Sequence, residues 1–200
     1  MIPASVAAES ASADHHGMRI SRTAMERSLA ELTDVLARAR TRDELNRALH
    51  GVTLQLGAQE AALSRVDVAA GCVVTVSNHD WLAEGDRFLL ADYPSTAHVI
   101  AQQAIGQVIA GDPAGDPAEL AELETAGMRA VLLMPLVHEG VTIALLEIYR
   151  RSPQAWTNTQ VDLARVLANH IATTFARINL GERDAPSRTP PLPLPAPAPR

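Results

Sequence analysis

From Met18 onward the apolar positions recur in alternating steps of four and three: Met18, Met25, Leu29, Leu32, Leu36 and Ala39, with Arg22 in the one seam position that is not apolar. That spacing predicts an amphipathic helix with a short heptad seam over 18–40. Such a helix either packs on its own domain or pairs two subunits through Met25, Leu29, Leu32 and Leu36. Thr41-Arg42-Asp43-Glu44 then reads as a capping box, in which hydroxyl and carboxylate satisfy the first free amides of a new helix. This second helix is expected from Arg42 to about Leu56, apolar along Leu45, Leu49, Val52 and Leu56 and stopped by Gly57.

The period then changes. Ala62 to Val68 alternates imperfectly, Ala69-Ala70-Gly71 turns the chain, and Cys72 to Ser77 is rich in β-branched residues, so the two runs read as a hairpin. Residues 78–87 are polar apart from Trp81, Phe88 to Ala91 is apolar, and Tyr93-Pro94-Ser95-Thr96 leads into a helix through about Gln103. Gln107 to Ala110 reads as a short buried strand. Asp116 is placed to cap a helix that begins at Pro117 and stops at Gly127. Ala130 to Val137 and Val141 to Tyr149 are strongly apolar and separated only by His138-Glu139-Gly140, which demands an antiparallel hairpin. A second capping box, Thr157 to Gln160, opens a long helix lined by Leu163, Val166, Leu167, His170, Ile171, Thr174 and Ile178 and ending at Gly181. Helices at both ends with strands joined by short turns give an α+β domain, its helices packed on one face of an antiparallel sheet. Residues 1–17 and the proline-rich 182–200 are expected to be disordered.

Composition narrows the chemistry. Two hundred residues, 47% hydrophobic and 20% charged, suit one globular domain with tails. All 17 basic residues are arginine, so a Walker A phosphate loop, a Schiff-base enzyme and a Ser-Lys nucleophile pair are all excluded. Between Gln59 and Arg150 thirteen acids stand against four arginines, which disfavours a nucleic-acid partner. The single Cys72 allows no disulfide within the chain and fits a cytoplasmic protein. The longest apolar run carries Pro135 and is far short of a membrane span.

The stretch GMRAVLLMPLVHEGVTIALLEIYRRSPQAWTNTQVDLARVLANHIA resembles the closing hairpin and final helix of a GAF domain, with the Gly140 turn, Glu147 and Tyr149 near the strand end, and the Trp156-Thr157 helix entry. The middle segment, from Asp92 to Ala130, is similar to GAF regions found beside cyclic-di-GMP enzymes and in actinobacterial sensory proteins. The resemblance covers about Thr41 to Leu180. It implies a sheet of about six antiparallel strands, with terminal helices on one face that often dimerise, and a pocket under loops and short helices on the other. It implies a non-catalytic module that binds an unidentified small molecule and signals to a protein partner, and it leaves the ligand or cofactor unspecified. The lysine-containing signature of the cyclic-nucleotide binders cannot be complete in a chain without lysine.

Within that expectation the pocket candidates are His79, Trp81, Asp92, Tyr93, Thr96, Gln107 and Asp112, with Asp80 and Asp116 beside them, because binding groups concentrate on loops held by a rigid sheet. Trp81 and Tyr93 are candidates to flank a planar ligand, whereas the aspartates also suit turns and caps. Glu147, a carboxylate in an apolar strand, is expected to face solvent, pair with Arg129 or Arg150, or enter the pocket. Cys72 reads as a small buried hydrophobe or a redox thiol. No pair of histidines has metal-ligand spacing, and no catalytic triad or paired-carboxylate motif occurs. The alternative to a sensor is an interaction scaffold whose pocket is filled by its own side chains and whose proline-rich tail docks a partner.

Overall fold

The computed structural model describes residues 27–77 and 81–184. Met18, Met25, His79, Asp80 and the two expected tails, except residues 182–184, lie outside them. A first helix, α1 (27–38), is followed by α2 (Arg42–Gln55), β1 (Glu60–Asp67), β2 (Cys72–Thr75), β3 (Arg87–Leu89), α3 (Pro94–Gln102), β4 (Gly106–Ile109), α4 (Pro117–Thr125), β5 (Ala130–His138), β6 (Val141–Arg150) and α5 (Asn158–Asp184). The six strands form one sheet in the order β3-β2-β1-β6-β5-β4, with every neighbouring pair antiparallel. Among the described residues no helix is long and apolar enough to cross a membrane.

Side-chain alternation gives the sheet two buried faces. Leu63, Leu132, Met134, Leu146 and Ile148 pack with α1, α2 and α5, while Ala62, Val131, Leu133, Leu145 and Tyr149 pack with α3, α4 and the loop that carries Leu82. The central strands β5 and β6 are covered on both sides, which is why they read as continuous apolar runs rather than alternating ones. Their turn is two residues long, Glu139 (φ 50°) and Gly140 (φ 77°), the left-handed pair that matches the twist of a hairpin. On the other face α3 lies so close to β4 that a Cβ at Gly106 would stand 2.6 Å from the Val99 side chain.

Both capping boxes form. Thr41 Oγ1 accepts the Glu44 amide at 3.3 Å and Glu44 returns a carboxylate to the Thr41 amide at 3.2 Å. Thr157 and Gln160 repeat the exchange at the start of α5. Thr41→Ala should therefore cost about 1 kcal/mol in urea denaturation; a loss below about 0.3 kcal/mol would show that tertiary contacts alone hold the start of α2.

The long C-terminal helix departs from expectation twice. It continues through Gly181 to Asp184, because Gly181 keeps a negative φ and nothing there turns the chain. Its core stripe is Ala164, Leu167, Ala168, Ile171, Ala172, Phe175 and Ile178, with Val166 and His170 exposed. The small alanines bring the helix close to the sheet, and a pattern weighted toward large side chains overlooks them.

The seam residues of α1 also have partners within the chain. Leu36 is fully buried in the helix-side core, and Leu29 and Leu32 are half-buried against it. Thr174 donates to the Leu36 carbonyl at 2.9 Å, and Arg177 donates to the carbonyls of Ala37 and Ala39, which fixes the end of α1 to α5.

Candidate functional site

Strand parity places Glu147 on the face opposite the terminal helices. It lies between Ala62 of β1 and Leu133 of β5, and its same-face neighbours along β6 are Leu145 and Tyr149. Over this floor α4 sets Glu119 and Glu122, three positions apart and so on one side of the helix. From α3 and the residue before it come Thr96 and Tyr93. Asp116 holds the two covering helices together: it caps α4 through the Ala118 amide at 3.0 Å and accepts the Ser95 amide at 2.8 Å.

The space enclosed by Tyr93, Thr96, Glu119, Glu122, Glu147 and the apolar walls Val73, Leu82, Phe88, Leu90 and Leu145 is about 10 Å³, room for about one water. Glu119 is 3% exposed and Glu147 8%. Each carboxylate has a hydroxyl beside it: Thr96 donates to Glu119, the Tyr93 hydroxyl lies near Glu122 and the Tyr149 hydroxyl near Glu147. Burial pushes the Glu119 carboxyl up to about 7, with Glu122 and Asp116 adding to the rise and the Thr96 hydroxyl opposing it. Glu119 sits in the first turn of α4, where the helix dipole favours an anion by about 1 kcal/mol; burial is the larger effect. Burial likewise raises Glu122, and it raises Glu147 well above the carboxylate range with Glu119 and Glu122 reinforcing it. The Tyr93 phenol is pushed up to about 12 by burial and by Glu122 and Glu119. Among the described residues every charged group acting on these carboxylates is another acid.

Of the candidates expected from sequence, Tyr93 and Thr96 line the cavity. Trp81 is half-buried one layer out, edge-on to Tyr149 at 5.9 Å. Asp92 is exposed. Asp112 is exposed too and closes a turn on the Ala114 amide. Gln107 is a correction: it pairs with Leu132, so it faces the α5 side of the sheet, where it accepts from the Trp156 amide at 2.7 Å. Parity decided it. Asp116 is a cap. Glu147 enters the pocket instead of meeting an arginine: Arg129 is exposed, and Arg150 lies on the other face, over Trp156.

Glu119 and Glu122 were not anticipated. Their only signal was acids in phase with Leu120 and Leu123 on a short helix, which also describes an ordinary solvated face. Cys72 is buried and pairs with Asp67 and Leu89, on the face turned away from the cavity, with the Arg87 guanidinium 3.1 Å from its sulfur. Among the described residues no three His, Cys, Asp or Glu side chains are placed to hold a metal ion.

The family model described as GAF domain matches residues 41–175. Among solved structures, the GAF domain of a phosphoenolpyruvate-protein phosphotransferase from Coxiella burnetii superposes with a TM-score of 0.65 at 17% identity, covering 80% of this chain and 96% of that one. Free methionine-R-sulfoxide reductase from Neisseria meningitidis, in complex with its substrate, gives 0.63 at 16% identity, covering 78% and 91%. The phycoerythrobilin-bound GAF domain of a cyanobacterial phytochrome gives 0.61 at 13% identity, covering 79% and 97%. No curated protein sequence matches the chain.

Proposed function

We propose, from the premise that this chain belongs to the GAF domain family, that it is a non-catalytic sensory module which binds a small molecule between the sheet and the α3–α4 layer. The observation that carries the reading is the convergence of buried carboxylates and hydroxyls in the cavity under α3 and α4. A site serving only stability would be filled with apolar side chains, which are as stable or more so than buried charge. Relatives of the same fold bound to a bilin and to a substrate support a small-molecule site. Cys72 faces away from this cavity, so neither a redox thiol nor a thioether-linked chromophore is supplied by it. A buried free thiol suits a reducing cytoplasm.

Occupancy separates α3 and α4 from the sheet and shifts the balance of domain conformations; a ligand that favours the open layer favours whatever the terminal helices adopt with it. Because α1 is fixed to α5 through Thr174 and Arg177, the two move together. We place a homodimer contact, and a signalling partner, on their outer side, where Val35 and Val166 are exposed and Leu29 and Leu32 keep an open edge; Leu36 is spent in its own core. Sedimentation at tens of micromolar should show a dimer, and a monomer would remove the paired-helix route.

The experiment for ligand binding is native mass spectrometry of protein purified gently from cells. A retained non-covalent mass, lost on denaturation, is the expected result. A second reading, a scaffold with a self-filled pocket, is favoured by the cavity holding only about one water. It predicts bare protein, and partner capture that is lost when residues 185–200 are deleted.

A further inference from the structure

We infer that the ligand of this pocket carries a cationic nitrogen, a primary or methylated ammonium, set against Glu119, Glu122 and Glu147, and carries no anionic group. The inference rests on the sensory reading of the same site. Three carboxylates offer six oxygens, each with two acceptor positions, and the hydroxyls of Thr96, Tyr93 and Tyr149 supply one donor apiece. An ammonium brings up to three more donors and the positive charge that the described residues withhold. Arg150, the nearest arginine in sequence to Glu147, points to the other side of the sheet and donates to the carbonyls of Leu56, Gly57 and Gln154.

An independent sign is the Thr75 hydroxyl. It is 1% exposed, has no hydrogen-bond partner among the described residues, and lies on the cavity face of β2 just outside the cavity lining, two residues from the wall residue Val73 and joined by register through Ser64 to Leu145. A buried hydroxyl left without a partner costs stability unless something else meets it. The walls suit a cation as well. Four of the six aromatic side chains in the chain, Trp81, Phe88, Tyr93 and Tyr149, gather on this face in two edge-on pairs, and ring faces attract ammonium groups. A divalent metal is the poorer occupant, because the acids are not spaced to coordinate one. A carboxylate or phosphate would meet only acids, and a zwitterion would bring one group that is attracted and one that is repelled.

Entry requires α3 and α4 to part from the sheet, since the closed cavity holds about one water. The order of events is then ionisation, opening and capture: protons leave the acids, their repulsion loosens the layer, and the ammonium replaces the protons.

The test is amide NMR of the full chain titrated with 1,5-diaminopentane and choline, against 1,5-pentanediol as the neutral isostere and glutarate as the anionic one. The cations should shift the amides of Glu119, Glu122 and Glu147 with an affinity at least about tenfold above that of the diol, and Glu119→Gln and Glu147→Gln should each lower it by about tenfold. Calorimetry of the diamine in two buffers of different ionisation enthalpy should show protons released, near pH 6. Diol or glutarate binding at these amides as well as the diamine overturns the charge inference and leaves the sensory reading standing. No shift from any probe at millimolar concentration overturns the inference too, while the retained-mass measurement decides the sensory reading separately.

Discussion

Raising the pH from about 4.5 to about 7 should lower folding stability, about 3 kcal/mol of it through Glu119, and Glu119→Gln should abolish that share. The unfolded chain gives up the Glu119 proton near the ordinary carboxylate value, whereas the folded protein holds it to about 7. Through that interval the native state binds more protons than the unfolded one, so stability falls as pH rises. The contribution is fully present below the unfolded value and gone above the folded one. Glu122 and Glu147, also raised by burial, push in the same direction. Most small domains lose stability toward acid because their carboxylates are paired; here the pocket opposes that trend. Urea denaturation of both proteins at a series of pH values is the check. A wild-type curve that rises steadily from about 4.5 to 7, unchanged by Glu119→Gln, would mean that the carboxylates are ionised and compensated in the folded state.

Arg150→Ala should cost about 3–4 kcal/mol at every pH in the same range. Its guanidinium donates to the carbonyls of Gly57 at 3.0 Å, Leu56 at 2.9 Å and Gln154 at 3.2 Å, and lies 4.2 Å over the Trp156 ring. The first two carbonyls stand at and just beyond the C-terminal end of α2, where a cation also meets the negative end of the helix dipole. Without the side chain the Leu56 carbonyl keeps the Trp156 and Gln160 donors, but the Gly57 carbonyl loses the arginine bond that ties it to β6. Arg150→Lys retains the charge and cannot span three carbonyls, so about half the loss should return. An alanine variant within about 1 kcal/mol of wild type would show that the junction of α2, β6 and α5 is held by packing alone.

The two variants also mark what was legible in the sequence. The β5–β6 hairpin, both capping boxes and the Asp116–Pro117 helix start were readable, because each rests on local chemistry: a two-residue left-handed turn, a reciprocal hydrogen bond, a fixed φ. The GAF resemblance followed from the same stretch and supplied a single antiparallel sheet of about six strands, while their order came only with the structure. Gln107 was placed on the wrong face, and Glu147 was left open among solvent, an arginine and the pocket, for one reason. A polar residue in a strand does not by itself say which face it takes, and only the register with the neighbouring strand says which way each points. Glu119 and Glu122 were invisible because an acidic helix face reads as solvent until the sheet beneath it is placed. Tyr93 and Thr96 were found, since a Pro-started helix entry at a pocket rim has a local signature.

The measurement that bears most directly on the site is a carbon-13 NMR titration of the glutamate carboxyls, assigned with Glu119→Gln, Glu122→Gln and Glu147→Gln. One resonance, missing in Glu119→Gln, should titrate near 7, with the Glu122 and Glu147 carboxyls also held above the ordinary range. All three titrating near 4.5 would contradict it, because an uncompensated buried acid trio cannot ionise so easily.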